Sequence, residues 1–377
     1  MNNGVYDSVI VGAGIVGAAS AAECARRGMK VLVVDREIVG SGATAAGMGH
    51  IVVMDDSEAQ FALTRYSQRL WQELRQELPD DVEYEECGTI WVAADEEEMA
   101  EVRRKHEYYG ARGVPTEVLD ARQLKDLEPN LRDGMAGGLL VGEDAVVYPP
   151  CVAEFLMERA RRHGAELRLG PAVVEMGGGR VRFADGSQVE GKRIVNAAGA
   201  WAEELTAGAE IKKRKGHLVI TDRYAGFLRH QLVELGYLKS AHAVTDDSVA
   251  FNVQPRRTGQ ILIGSSRQFG AEHKEVDHEI LQRMLVRARE YMPGIGKMLA
   301  IRTWTGFRAA TPDKLPLIGP WPQDASLWMA TGHEGLGITT SLGTAKLLAD
   351  EMAGETTKIP AEPYLPSRAG KESAHAD

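Results

Sequence analysis

Gly12-Ala13-Gly14-Ile15-Val16-Gly17 stands between an apolar run and a run of small residues, a spacing that suits holding a pyrophosphate against bare backbone. Gly12 permits the tight turn, Gly14 lets the phosphates reach the main chain, and Gly17 lets helix and strand close up. The helix that follows points its first N–H groups at the anion. Asp35 ends the next apolar run, where a carboxylate can accept both ribose hydroxyls of an adenosine, and Arg36 follows it. A second glycine-rich stretch runs Gly40-Ser41-Gly42-Ala43-Thr44-Ala45-Ala46-Gly47-Met48-Gly49-His50. So many glycines oppose a helix, and the stretch is expected to wrap an extended ligand with backbone N–H groups and the Ser41 and Thr44 hydroxyls. A third, Gly332-His333-Glu334-Gly335-Leu336-Gly337-Ile338, opens another helix, whose positive end favours a ligand carrying negative charge.

Among side chains, Arg308 offers a planar, permanently charged fork, the natural clamp for a carboxylate. A structural ion pair with Asp313 is the competing reading. His50 and His333 could titrate near neutrality, keeping an amine deprotonated or pairing with cofactor oxygens; burial with a backbone hydrogen bond is the alternative for each.

The elements that must position these groups follow from periodicity. Ser8–Val11, the glycine turn, an alanine-rich helix stopped by Gly28, and Lys30–Asp35 make one βαβ unit. The same pattern returns later. A helix from Phe155 to His163 and a strand at Ala165–Leu169 precede a hairpin turning at Asp185-Gly186, and a strand from Arg193 runs into Asn196-Ala197-Ala198-Gly199-Ala200-Trp201-Ala202. A strand from Leu327 leads into the third glycine turn. Between these segments lie strands at Gly88–Ala93, Gly137–Val141, Leu218–Thr221, Ser248–Val253 and Gln260–Gly264, with a charged helix from Asp95 to about Tyr109, which reads as an α+β cap. The fold class is α/β plus α+β.

A G-x-G-x-x-G turn alone does not separate NAD from FAD. Its place at the N-terminus and the second glycine stretch favour FAD. An NAD-dependent dehydrogenase would need a separate catalytic domain, and the returning motifs at 194–201 and 332–337 argue against one. A non-catalytic FAD-binding subunit is the third reading, opposed by the retained Arg308 and glycine turns.

Composition narrows the classes further. Of 377 residues, 44 are Lys or Arg and 54 Asp or Glu, a formal charge of −10, which disfavours phosphate-backbone binding to nucleic acid. No apolar run approaches the ~20 residues of a membrane span, and no basic segment precedes the first apolar run, so a reducing, cytoplasmic location is expected. Three cysteines, far apart and without C-x-x-C, argue against a disulfide framework, structural zinc or an iron–sulfur cluster held by this chain; no metal is expected. Glu96–Glu98 with Arg103–Lys105 reads as a solvated helix face. Lys212–Lys215 reads as a solvated turn, with docking of an acidic partner or an anion route as alternatives.

Four motifs in order then carry a resemblance. The N-terminal glycine turn with its acid, Asn196–Ala202, Gly306-Phe307-Arg308-Ala309-Ala310-Thr311-Pro312-Asp313 through Pro316-Leu317-Ile318-Gly319-Pro320, and Thr331-Gly332-His333 with Gly335 and Gly337 are similar to the D-amino-acid oxidase family, over residues 6 to 353. That family includes glycine oxidase, sarcosine oxidase and bacterial amino-acid dehydrogenases. Within it, Gly47–Met54 and Lys215–Asp222 most resemble the β subunit of D-hydroxyproline dehydrogenase, with the glycine-oxidising subunit of cyanide synthase a near relative. The resemblance implies FAD, with noncovalent binding the default and covalent attachment through His50 the alternative, and hydride transfer from Cα of an amino acid to flavin N5, giving an imine. The substrate expected is cis-4-hydroxy-D-proline or a related D-amino acid, with glycine or sarcosine as the alternative. A heteromeric partner carrying the electron acceptor, an iron–sulfur centre or a second flavin, is compatible with it.

It further implies a Rossmann-like FAD-binding domain built from discontinuous segments (1–83, 149–205, 304–360) and an antiparallel-sheet substrate domain (84–148, 206–303). Residues 361–377 are expected to form a disordered tail. Cofactor-binding positions expected beside Asp35 and Arg36 are Gly12, Gly14, Ile15, Val16, Gly17, Ser41, Gly42, Ala43, Thr44, Gly47, Met48, Gly49, His50, Val174, Ala197, Ala198, Gly199, Trp201, Gly306, Arg308, Gly332, His333, Gly335, Leu336, Gly337 and Ile338. Arg308, His50 and His333 are the catalytic candidates. Arg308 with His217, Tyr237, Phe251 and Gln254 on the cap form the expected substrate contacts.

Overall fold

The computed structural model describes residues 5–236 and 247–369. The chain divides into two contact units, Met1–Val82 with Tyr148–Lys213 and Phe307–Asp377, and Glu83–Val147 with Arg214–Gly306.

The first unit is built on the expected βαβ start: β1 (Tyr6–Val11), α1 (Ile15–Arg26) and β2 (Val31–Asp35). β1 pairs in parallel with β2 on one side, Val9 against Leu32, and with Gln188–Asn196 on the other, Val9 against Ile194. Glu166–Leu169 extends the sheet beyond β2, while Asp324–Thr331 and then the antiparallel Leu317–Trp321 extend it beyond Gln188–Asn196. Val9–Val11 of β1 and Val31–Val34 of β2 are unbroken apolar runs because both faces are covered there; Val9, Ile10 and Val33 are wholly buried. Ala18, Ala21 and Cys24 on α1 are also wholly buried, and their small side chains let the helices Pro149–Arg162 and Gly337–Ala353 lie against it. The expected hairpin is present as Arg180–Phe183 turning into Gln188–Asn196, with Gly186 at φ +81°.

Three boundaries differ from expectation. Residues 304–306, Gly306 among them, fall in the second unit rather than the FAD-binding one. Ala209 and Ile211 belong to the first unit's apolar core, so residues 206–213 join it rather than the substrate domain. Residues 361–369 are not a disordered tail. Tyr364 is 1 % exposed and its hydroxyl donates to Ala59 O at 2.6 Å, while Arg368 pairs with Asp313 at 2.6 Å. The buried ring outweighs the polar, aperiodic composition of the segment.

The second unit carries an eight-stranded sheet in the order Ala300–Ala310, Lys212–Thr221, Ile261–Arg267, Ser248–Pro255, Gln231–Glu234, Thr89–Ala93, Gly137–Val141 and Glu117–Asp120. Among the described pairings, Gln231–Glu234 with Thr89–Ala93 is parallel. Lys212–Thr221 with Ile261–Arg267, Ile261–Arg267 with Ser248–Pro255, Ser248–Pro255 with Gln231–Glu234, and Gly137–Val141 with both Thr89–Ala93 and Glu117–Asp120 are antiparallel. The helix His278–Tyr291 buries Ile280, Met284, Ala288 and Tyr291, a helical stripe, and Asp277 caps it by accepting from Glu279 N and Ile280 N.

Two charged stretches depart from the expected solvated reading. Lys105 continues the buried stripe of Met99, Val102 and Tyr109 and lies wholly buried over Trp91, 4.7 Å from the ring centroid. Helical spacing, not charge, decides its side of the helix. Lys215 is also wholly buried, its backbone paired both ways with Gln268, because Lys212–Thr221 is a strand rather than a turn. No described helix is long and apolar enough to cross a membrane, and no described group of His, Cys, Asp and Glu is arranged to hold a metal.

Candidate cofactor and active site

Three glycine loops converge within the first unit, and the distances say why each needs glycine. A Cβ on Gly12 would stand 2.3 Å from Ala197 O, and one on Gly17 1.9 Å from Gly12 O. The β1 turn, α1 and the Asn196–Trp201 segment therefore touch through bare backbone, with Gly12 at φ +114°. Gly14 is different: a Cβ there would meet only Thr44 Oγ1, at 3.3 Å. Gly47 abuts Ile338, whose Cδ1 would lie 2.8 Å from an added Cβ, and Gly42 faces Trp201 Cζ3 at 3.7 Å. Gly332, at φ +81°, has Thr311 Cγ2 2.6 Å from the Cβ position.

Polar side chains lock these loops together. Asp35 Oδ2 accepts from Ala13 N at 2.7 Å and Oδ1 from Glu37 N at 2.9 Å. A carboxylate has about four acceptor positions, so the same group can still take ribose hydroxyls. Thr44 Oγ1 accepts from Ile15 N at 3.0 Å. Its hydroxyl, expected to face a ligand, ties the second loop to the start of α1 and keeps its own O–H to donate. The second loop also holds a short helix, Ala43–Ala46, contrary to the glycine-based expectation; it occupies the Ala-Thr-Ala-Ala interval between Gly42 and Gly47. Asn196 Nδ2 donates to Ala202 O and Thr206 Oγ1 while its Oδ1 accepts from Ala198 N. Thr331 Oγ1 donates to Gly199 O at 3.1 Å. Trp201 stands edge-on to Phe307, and Arg36 lies 5.1 Å over its ring.

The donor set fits an extended dinucleotide. α1 starts at Gly14 without a side-chain cap and has no acidic residue in its first turn, and the helix Gly337–Ala353 starts at Leu336 in the same way. Apart from Ile15 N, which Thr44 holds, the positive ends of both helices favour an anionic ligand. Met48 and Ile338 are buried among these loops, whereas Val174 is 46 % exposed on Val173–Gly177, in the hairpin layer. Gly306 precedes Phe307 in the strand Ala300–Ala310.

The candidate side chains separate sharply. Arg308 lies over the third loop, its Nε 3.6 Å from the Cβ position of Gly335, and the neighbouring Ala309 O accepts from Glu334 N at 2.9 Å. The competing partner Asp313 is engaged by Arg368. His50 lies at the start of the strand His50–Ile51, with its carbonyl accepting from Thr339 Oγ1. His333 does not behave as the expected titrating group. Its Nε2 lies 2.9 Å from Thr344 Oγ1, and burial pushes its pKa down to about 3, so the ring is neutral at physiological pH.

Three of the cap residues chosen from strand position, His217, Phe251 and Gln254, are buried. His217 Nε2 accepts from Asp277 N at 3.0 Å and Nδ1 faces Ser266 Oγ at 3.0 Å, so the ring joins its strand to a helix cap. Phe251 is wholly buried and stacks on Tyr291 at 4.5 Å, and Gln254 is wholly buried on the same strand. Tyr237 lies outside the described residues. Asn196, Thr331 and Thr339 support the loops; the first two stand in the sequence motifs without an assigned role, and Thr339 was not singled out, its signal being a polar residue where the buried helix pattern calls for an apolar one.

Residues 7–351 match the family described as FAD dependent oxidoreductase. The chain is 29 % identical to glycine oxidase of Pseudomonas aeruginosa, covering 95 % of this chain and 98 % of that protein. It is 28 % identical to the hydrogen cyanide synthase subunit HcnC of the same organism, over 99 % and 98 % of the two chains. The solved structure of glycine oxidase from Geobacillus kaustophilus superposes with a TM-score of 0.87 at 26 % identity, covering 96 % of this chain and 98 % of that one. With the convergent glycine loops and uncapped helix ends, these likenesses place the chain in the D-amino-acid oxidase family of FAD-dependent oxidoreductases.

Proposed function

We propose that the chain oxidises the Cα–N bond of a small amino acid to the imine, with cis-4-hydroxy-D-proline or a related D-amino acid as substrate. FAD, when bound, supplies the acceptor for the hydride that leaves Cα. What remains to the protein is to orient the amino acid and manage its charge. Arg308 takes the α-carboxylate, and the observation that carries this role is its place over Gly335, in the loop that opens the helix Gly337–Ala353. A charge-assisted fork there fixes the carboxylate in plane and direction. His50, at the end of the second glycine loop, is the histidine left to hold the amine deprotonated once His333 is assigned to burial.

Glycine or sarcosine is the second substrate reading, supported by the likeness to glycine oxidases over nearly the whole chain. A partner subunit that takes up the electrons, through an iron–sulfur centre or a second flavin, belongs to the same proposal and is supported by the likeness to a cyanide synthase subunit. A cytoplasmic location, peripheral to a membrane through such partners, goes with it. Anaerobic addition of cis-4-hydroxy-D-proline, D-proline, sarcosine and glycine to the purified holoprotein tests the reading. The hydroxyproline should bleach the flavin absorbance at the lowest concentration. Bleaching by glycine alone would select the second reading, and bleaching by none would end both.

A further inference from the structure

We infer that Thr339 is a positioning residue, the joint that sets the register of the loop Gly47–Met54 against the start of the helix Gly337–Ala353. Thr339 is wholly buried and sits in the first turn of that helix, after Leu336 at its N-cap. Its hydroxyl makes two bonds to the loop: Oγ1 donates to His50 O at 2.8 Å and accepts from Val52 N at 3.3 Å. Its carbonyl accepts from Trp71 Nε1 at 2.9 Å, which ties the same residue to the helix Glu58–Leu74. One residue therefore fixes three segments.

The bonds are placed to matter for the ligand loops rather than for the core alone. The loop meets the helix on one side of Thr339 through Gly47 and Ile338, whose Cδ1 would lie 2.8 Å from a Cβ at Gly47. Farther along, Met54 N donates to Thr64 Oγ1 at 3.2 Å, so the loop is anchored again at its far end. Between these anchors Thr339 Oγ1 bonds the chain on both sides of Ile51, at His50 O and Val52 N. A shift of the loop by one residue would break both bonds and carry the backbone of His50 with it. A threonine suits the task because its hydroxyl both donates and accepts, while its methyl fills the buried site.

The inference rests on reading Gly47–His50 as a loop that holds FAD, and the two can fail separately. In the wild-type protein, FAD should slow amide hydrogen exchange across 47–52 relative to apoprotein; unchanged exchange there would overturn the loop reading. The joint is tested with T339V, which keeps the shape and removes the hydroxyl, and T339S, which keeps the hydroxyl. T339V should speed exchange at Val52 N–H by about tenfold or more, the scale of one unmade buried hydrogen bond, while β1 and β2 amides keep their protection. It should weaken FAD binding by a similar factor, and T339S should restore both. Wild-type FAD affinity in T339V, equal loss in T339S, or faster exchange spread evenly through β1 and β2 would each overturn the positioning role.

Discussion

The glycine loops of the first unit and the sheet of the second place their special residues by different rules. In the loops the backbone itself is the functional surface. Gly12 and Gly17 have neighbours within 2.3 Å of where a Cβ would stand, so the sequence has no choice of residue and the motif is visible. In the sheet, function would come from side chains on one face. His217, Phe251 and Gln254 all look like site residues by type, and all are buried inside the unit. A strand shows which residues alternate but not which face receives a ligand, whereas a forced glycine announces its own reason.

Substitutions can break that contrast. The largest effect is expected from Gly12→Ala. Its methyl would overlap Ala197 O, at the upper end of the ~1–3 kcal/mol typical of overpacking, with a further ~1–2 kcal/mol for the left-handed backbone. The protein should lose its flavin on gel filtration and melt at lower temperature; a yellow, wild-type-like variant would mean that the loops do not meet as described. Phe251→Ala should cost about 3–5 kcal/mol in chemical unfolding, the range for emptying a buried aromatic site, with KM unchanged in the fraction that folds. A rise in KM without loss of stability would return Phe251 to the substrate site.

A smaller loss, about 1–3 kcal/mol, is expected for His217→Ala, which removes the ring acceptor of Asp277 N–H and one of the two partners of the buried Ser266 hydroxyl. Urea unfolding would register it, and substrate affinity should not change. The smallest effect near neutrality concerns His333. Its folded pKa, about 3, lies below the unfolded value near 6.5. Between these values the unfolded chain binds the extra proton, so stability falls as pH drops from 6.5 towards 3 and is flat above. His333→Gln should flatten that acid limb in thermal melts taken across pH. An unaltered limb would show that the ring is not the neutral, buried group described.

Legibility follows the same division. The βαβ start, its glycine turn and Asp35 stand where the residues indicate, because period, turn and terminal acid all agree on one local structure. The helix Ala43–Ala46 was masked by its flanking glycines. Lys105 and Lys215 were hidden by their charge, since only packing against Trp91 or pairing with Gln268 reveals that they are inside. Tyr364 was lost in a polar segment whose single anchoring ring outweighs its composition. Thr339 could be seen as a threonine in a helix but not as a joint, because its partners at His50 and Val52 are remote in sequence.

The central claim is that Arg308 clamps the substrate carboxylate beside the third glycine loop. Anaerobic titration of the wild-type and Arg308→Ala holoproteins with the best substrate of the panel, followed at the flavin absorbance, measures it most directly. The account predicts a half-reduction concentration raised by the equivalent of about 2–5 kcal/mol in the variant, as for a truncated buried charge pair, with dithionite bleaching both proteins equally. Equal half-reduction concentrations for the two proteins would contradict it.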